Sequence, residues 1–206
     1  MISVEEAQAR ILALKAPVET ERVALNEAAG RWAAEDVAAL RTQPARELSA
    51  MDGYAIRFAD AAGPWTVIGE SAAGTQFAGK VETGEAVRIF TGAVVPKGAD
   101  TVIIQENVSR EGDVVTLTGD APIKAGQNVR YAGGDFVEGT VVVPKGAELH
   151  ARHVALAAMA GHGELTVHRK LKVALVSTGN ELVTPGSPCA EDQIPASNGV
   201  MLAAML

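Results

Sequence analysis

The spacing of apolar residues divides the chain into stretches of different character. Near the start, Val4, Ala7, Ile11 and Leu14 recur at helical spacing. Ser3 stands before them as an N-cap and Glu6 follows three residues later, the pattern of a capping box. This helix is expected to end near Lys15, ahead of Pro17. The stretch 25–32 reads as a short second helix, with Gly30 near its end. From about 41 to 138 the period shortens. Runs at 65–68, 86–90, 101–104 and 114–117 are rich in β-branched residues and bounded by Gly and Pro, so they read as strands. Glu111-Gly112-Asp113 is expected to turn between the last two. Regular short strands with turn signals point to a small barrel or sandwich.

After Gly139 the texture changes again. Residues 140–143 read as a strand, 150–160 as a helix closed by Gly161, and 165–167 as a further short strand. The run 171–177 is almost continuously apolar, the mark of a strand buried on both faces in a parallel sheet. Ser197-Asn198-Gly199 then offers an N-cap to an apolar helix through Leu206. A buried parallel strand needs neighbours reached by crossover connections. The expectation is therefore of an α/β domain only begun at the chain's end. The alternative is that 171–177 joins the preceding β-region.

Composition narrows the classes. The 206 residues suffice for a sizeable core, and 48% are hydrophobic, as in an ordinary globular protein. Only 4% are aromatic, so that core must be built from small and β-branched side chains. The net charge of −7 argues against a nucleic-acid partner or an anionic membrane surface. Cys189 is the only cysteine, which favours a reducing compartment. Glu5 and Glu6 occupy the place of the basic flank a signal peptide would carry, and no apolar run is long enough to span a bilayer. A soluble, cytoplasmic protein is expected.

Segments that join a polar residue to glycine carry the candidate chemistry. In Ser49-Ala50-Met51-Asp52-Gly53-Tyr54-Ala55 a carboxylate sits where the backbone can bend, suited to a base or a cation ligand; Asp-Gly is also a common turn pair. In Ile89-Phe90-Thr91-Gly92-Ala93 a hydroxyl ends a strand, or simply marks its turn. In 128–135, Gly133-Gly134 lets backbone approach a ligand, while Arg130 and Asp135 offer opposite charges that could equally form a structural ion pair. In Ser177-Thr178-Gly179-Asn180-Glu181 a turn follows the apolar run, where backbone N–H groups can receive an anion and Glu181 can hold a metal or act as a base. His150, His153, His162 and His168 lack a convincing ligand pattern, and Cys189 lacks a histidine partner. Neither a Walker phosphate loop nor a dinucleotide fingerprint is present.

In this order and spacing, the segments resemble the molybdopterin molybdenumtransferases, the molybdenum insertases related to the gephyrin E domain. Residues 49–55 resemble that family's Ser-x-Met-Asp-Gly-Tyr-Ala signature. Residues 89–93, continuing through Pro96 and Gly98-Ala99-Asp100 to Gln105-Glu106, resemble its Thr-Gly-Ala segment, and 128–135 its Arg-x-x-Gly-x-Asp segment. Residues 176–182 resemble its Ser-Thr-Gly-Asp-Glu-Leu turn, with Asn180 in place of Asp; Ser197-Asn198-Gly199 resembles its helix opening, with Pro195-Ala196 in place of Arg-Asp.

The resemblance implies a multi-domain α+β subunit that forms a homodimer. A β-rich domain II (41–138) would be inserted into a mixed domain I (21–40 and 139–169). The first helix (1–20) would pack on an α/β, molybdopterin-binding domain III, begun at 170–206 and incomplete. The implied reaction inserts molybdate into adenylylated molybdopterin, made by a molybdopterin adenylyltransferase, and releases AMP with the help of Mg²⁺. Asp52, Thr91, Asp135 and Glu181 take the catalytic positions by resemblance, with Glu181 also at the metal. Ser177, Thr178, Gly179, Ser197 and Asn198 take the substrate-binding ones. Asp52 and Thr91 would face the domain III cleft of the partner subunit. A chain stopping early in domain III is expected to be inactive alone. Competing functions are a dimeric scaffold of the gephyrin E-domain type and a metal-dependent phosphohydrolase.

Overall fold

A computed structural model describes residues 2–14 and 18–206. They form two compact units, one of Thr20–His168 and one joining the described residues before Thr20 to Arg169–Leu206. In chain order the elements are α1 (Val4–Leu12), β1 (Thr20–Ala24), β2 (Val37–Ala38), β3 (Leu48–Ser49), β4 (Gly53–Ile56) and β5 (Trp65–Ser71). Next come β6 (Glu85–Ile89), β7 (Thr101–Ile104), β8 (Val108–Glu111), β9 (Val114–Leu117), β10 (Val129–Arg130) and β11 (Val141–Val143). The last are α2 (Ala151–Met159), β12 (Glu164–His168), β13 (Leu182–Val183), β14 (Ile194–Pro195) and α3 (Ser197–Met205). Among the described residues no helix is long and apolar enough to cross a membrane. The architecture is a mixed α+β one, as the sequence led us to expect.

The larger unit is organised by a six-stranded sheet in the order β7-β4-β6-β5-β9-β8. Its two edge strands, β7 and β8, are consecutive in the chain and joined only by Gln105–Asn107. A sheet whose edges are tied by so short a link must curl. The curl encloses Tyr54, Ile56, Trp65, Ala86, Ile103 and Val115, contributed by five of the strands. Trp65 is 1% exposed, and its indole N–H donates to the Asp60 carbonyl at 2.9 Å, so its one polar atom is satisfied. Truncating such a residue to alanine typically costs about 3–5 kcal/mol.

A second core in the same unit lies between β1, β2, β11, β12 and α2, with Val23, Val37, Val143, Leu149, Ala157 and Val167 at its centre. It joins residues from either end of the unit, since β1 pairs antiparallel with β12 and β2 with β11. Arg31 is buried beside this core. It is paired with Glu21 and donates to the His168 carbonyl at 2.8 Å, the partners a buried guanidinium requires.

Several expectations change. The first helix begins as expected, with the Ser3 hydroxyl accepting from the Glu6 N–H at 3.1 Å, but its described end is Leu12. The stop at Lys15 and Pro17 lies outside the described residues. Residues 25–32 form only a single tight turn, Leu25–Glu27. The chain then leaves helical geometry because Gly30 N–H donates to Leu149 O and Leu149 N–H to Arg31 O, each at 2.8 Å, and so short a helix has little to set against those bonds. The turn at Gly112 links β9 to β8, not to 101–104; β8 gives no clear strand signal because its Val-Ser-Arg-Glu sequence is that of a polar edge strand. The apolar run 171–177 forms no strand, since none of the described residues pairs with it. The helix α3 is preceded by Ala196 rather than capped by Ser197. Ala196 N–H donates to Val183 O at 2.8 Å, tying the start of the helix to β13 and placing Ser197 already inside its first turn.

Strand β4 is the element that positions Asp52. It is buried along its length and lies between β6 and β7. Its first residue, Gly53, sits against the backbone of Ile103, and a Cβ there would run into the Ile103 carbonyl oxygen. Only glycine permits this approach. Gly53→Ala is therefore expected to lower the denaturant midpoint of the chain, at a cost of about 1–3 kcal/mol. An unchanged midpoint would contradict the close contact.

Candidate functional site

Asp52 lies between β3 and β4, at the point where the chain drops into the sheet. Its surroundings are fixed by backbone. Ser49 N–H donates to Ala93 O and Gly92 N–H to Ser49 O, each at 2.9 Å, so the segment before Asp52 is laced to the turn after β6. The buried Ser49 hydroxyl donates to Met51 O at 2.5 Å, which tightens the bend. Gln105 N–H donates to Asp52 O at 3.1 Å from the other side. Gly92 has φ +79°, a conformation that lets the turn present Thr91 toward Asp52.

Thr91 then supplies two donors to one carboxylate oxygen. Its backbone N–H donates to Asp52 Oδ1 at 2.7 Å and its hydroxyl at 2.8 Å. These bonds, the backbone one foremost, hold the Asp52 carboxyl below the usual carboxylate range; desolvation works against them, and the Arg88 charge adds to them. Asp52 is thus ionised at neutral pH. Its Oδ2 carries no protein partner among the described residues. The arrangement is a fixed anion with one oxygen committed and one left unengaged by the described residues. It can accept a proton or ligate a cation; it cannot act as an acid at neutral pH.

Asp135 joins this region by another route. Arg130 donates from Nη2 to both carboxylate oxygens of Asp135 at 3.0 Å, making the ion pair that the sequence left open. The segment is anchored to the Asp52 side of the unit, since β10 pairs with β3 and sets Arg130 opposite Leu48. Asn128 adds a further tie, its amide donating to Val102 O at 2.9 Å and its backbone carbonyl accepting from Ala50 N–H at 2.9 Å. Asp52 and Thr91 are in direct contact; Asp135 shares their scaffold and is engaged with Arg130.

The remaining predicted residues belong to the other unit. Ser177, Thr178, Ser197 and Asn198 line one cavity of about 430 Å³, closed on its apolar side by Leu175, Leu182 and Leu202. That volume is in the range of small-molecule sites. The first turn of α3 forms part of its wall. No side chain caps that helix, so its leading N–H groups are left for a ligand. Gly199 lies against the Ser177 hydroxyl, where a Cβ would approach to 3.3 Å. Gly179 and Glu181 stand beside one another just outside the lining: a Cβ on Gly179 would come within 2.5 Å of Glu181 Oε1. The Glu181 carboxylate has no protein partner among the described residues. These residues hold no group of three or more His, Cys, Asp or Glu placed for a metal ion.

Gln105 closes the segment that resembles the family's Thr-Gly-Ala stretch, whereas Arg88 was not evident as a participant from the sequence. Arg88 and Gln105 flank Asp52, and Arg88 donates to Gln105 Oε1 at 2.6 Å. The available signal was a charged residue inside the apolar strand Ala86-Val87-Arg88-Ile89-Phe90.

Fold and site together define a multi-domain α+β protein built around a fixed carboxylate. Residues 2–161 match the family described as the MoeA N-terminal region (domain I and II), and the chain belongs to that family. A molybdopterin molybdenumtransferase from Haemophilus influenzae is 40% identical over 201 residues, covering 96% of this chain and 50% of that protein. One from a Nostoc species is 39% identical over 196 residues, covering 91% and 44%. The crystal structure of a molybdopterin biosynthesis MoeA protein from Pyrococcus horikosii superposes with a TM-score of 0.84 at 34% identity, covering 99% of this chain and 54% of that one. The chain spans about half the length of the curated relatives it matches.

Because the folded-state pKa of Asp52 lies below that of the unfolded chain, its charge favours the fold above the ordinary Asp value of about 3.9. That contribution is lost as the pH falls through the lowered folded value. Thr91→Val removes the hydroxyl donor and keeps the backbone one. It is expected to raise the Asp52 pKa part of the way back, read by ¹³C NMR titration of the carboxyl. No movement would show that the hydroxyl does not hold the charge.

Proposed function

We propose that the complete protein inserts molybdate into adenylylated molybdopterin and releases AMP, a step of molybdenum cofactor biosynthesis. Membership of the MoeA family supports the class of reaction, and the curated relatives carry the name molybdopterin molybdenumtransferase. The observation that carries the reading is the Asp52 carboxylate, locked on Oδ1 by Thr91 and free on Oδ2.

The chemistry asks for two anions to meet and for an anhydride to break. An ionised Asp52 repels molybdate and phosphate directly, so its use is to accept a proton at Oδ2 or to face a cation. The cavity at the start of α3 receives the other anion. Its lining includes no Lys or Arg, and the leading N–H groups of α3 with the Ser177 and Thr178 hydroxyls provide the donors. The apolar wall of Leu175, Leu182 and Leu202 suits the flat body of a pterin or a purine. A Mg²⁺ ion fits Glu181, whose carboxylate is unengaged, because Mg²⁺ ordinarily takes one or two carboxylates and completes its shell with water and substrate phosphate oxygens. When bound it would supply neutralisation of phosphate charge.

A homodimer would bring Asp52 and Thr91 of one subunit to the cavity of its partner, so that neither subunit holds a whole site. The reducing, cytoplasmic setting inferred from the single cysteine accords with this biosynthetic role.

The test supplies adenylylated molybdopterin, molybdate and Mg²⁺ to the complete subunit. AMP release stimulated by molybdate is expected, and Asp52→Ala is expected to lower its rate by about 10²-fold or more, the range typical for loss of a positioned proton acceptor. AMP release indifferent to molybdate would favour a general phosphohydrolase and overturn the proposal.

A further inference from the structure

Among the described residues Arg88 is the cation whose charge acts on Asp52, and its hydrogen bonds do not go to a carboxylate. It projects from β6 at the position paired with Tyr54 of β4. Nη1 donates to Gly53 O at 3.1 Å, the carbonyl immediately after Asp52. Nη2 donates to Gln105 Oε1 at 2.6 Å, and the same Gln105 gives its backbone N–H to Asp52 O. The guanidinium carbon lies 5.2 Å from the centre of the Tyr54 ring and 4.8 Å from that of Phe90, the residue before Thr91. Among the described residues Arg88 makes no salt bridge.

One planar group therefore touches three of the segments that meet at Asp52. It holds the start of β4 through Gly53, the residue just after β7 through Gln105, and the residue just after β6 through Phe90. A rigid fork with two aromatic contacts suits this task; a lysine ammonium offers the charge without the fork or the stacking plane. Its preorganisation matters because the Thr91 donors and the Asp52 acceptor come from different strands, and hydrogen bonds of 2.7 and 2.8 Å tolerate little sliding between them.

We propose that Arg88 is a positioning residue for Asp52: its guanidinium fixes the relative placement of β4, β6 and the residues just after β7, and so sets the Thr91 donors on the Asp52 carboxylate. The catalytic meaning of this rests on the molybdate-insertion reading, but the structural coupling does not.

The experiment measures amide hydrogen exchange at Thr91 and the NMR titration of the Asp52 carboxyl in this chain, with Arg88→Met and Arg88→Lys. Both variants are expected to speed Thr91 exchange by about tenfold, the loss of roughly one net hydrogen bond. Both are expected to move the Asp52 titration upward, Lys less than Met because it keeps the charge. In an Asp52→Ala background, which removes the acceptor, Arg88→Met is expected to add nothing at Thr91. In the complete subunit, Arg88→Lys is expected to lower kcat by about 10–100-fold with KM little changed, as a misplaced group would. Unaltered Thr91 exchange and Asp52 titration in a folded Arg88→Met protein would overturn the proposal. If Arg88→Met fails to fold, the same unaltered pair of signals in Arg88→Lys overturns it. Coupling seen in the chain while the complete wild-type subunit ignores molybdate would sink the insertion reading and leave the positioning role standing.

Discussion

The structure turns on two donors from Thr91 meeting one oxygen of Asp52. That meeting lowers the pKa of the carboxyl and commits one of its two oxygens. It is also demanding, because the partners come from the ends of different strands in a curled sheet. Gly53 makes it possible by letting β4 lie against the Ile103 carbonyl. The Ser49–Ala93 and Gly92–Ser49 bonds then lace the two segments together. A residue with a side chain at position 53, or a looser turn at Gly92, would leave Asp52 an ordinary surface carboxylate.

The candidate residues are divided between the two compact units. The larger holds Asp52, Thr91 and Asp135 on a scaffold with substantial buried cores. The smaller holds the cavity of Ser177, Thr178, Ser197 and Asn198, with Glu181 nearby, on short elements. A chain of net charge −7 has no diffuse basic surface with which to attract the anions of the proposed reaction. Under the proposed function, uncapped N–H groups at a helix start, with a divalent cation held by Glu181, would give local positive potential without that requirement.

Much of this was legible in the sequence, and the misses have physical reasons. Strands such as 65–68 and 101–104 announce themselves because β-branched residues pack on a pleated surface. The contact between Asp52 and Thr91 was not visible, since the residues are 39 positions apart and their proximity depends on sheet order. β4 was hidden by its opening Asp-Gly, which reads locally as a turn and becomes a strand only through neighbours on both sides. The opposite error fell at 171–177, where apolar composition suggested a buried strand but pairing partners are lacking among the described residues. The motif at 128–135 singled out Asp135, while its ion pair with Arg130 required coordinates. Arg88 gives no functional signal in the sequence, because an arginine in an apolar strand reads as a solvent-facing residue and its partners come from other strands.

A shared site makes a demand that a self-contained one does not. Complete subunits carrying Asp52→Ala would be mixed with complete subunits carrying Glu181→Ala, and the dimers allowed to exchange. If Asp52 of one subunit serves the cavity of the other, half of the dimers are mixed and each regains one intact site. Molybdate-dependent AMP release should then recover to about a quarter of the wild-type rate, from two inactive parents. A mixture as inactive as either parent would mean that Asp52 and Glu181 act within one polypeptide, or not together at all.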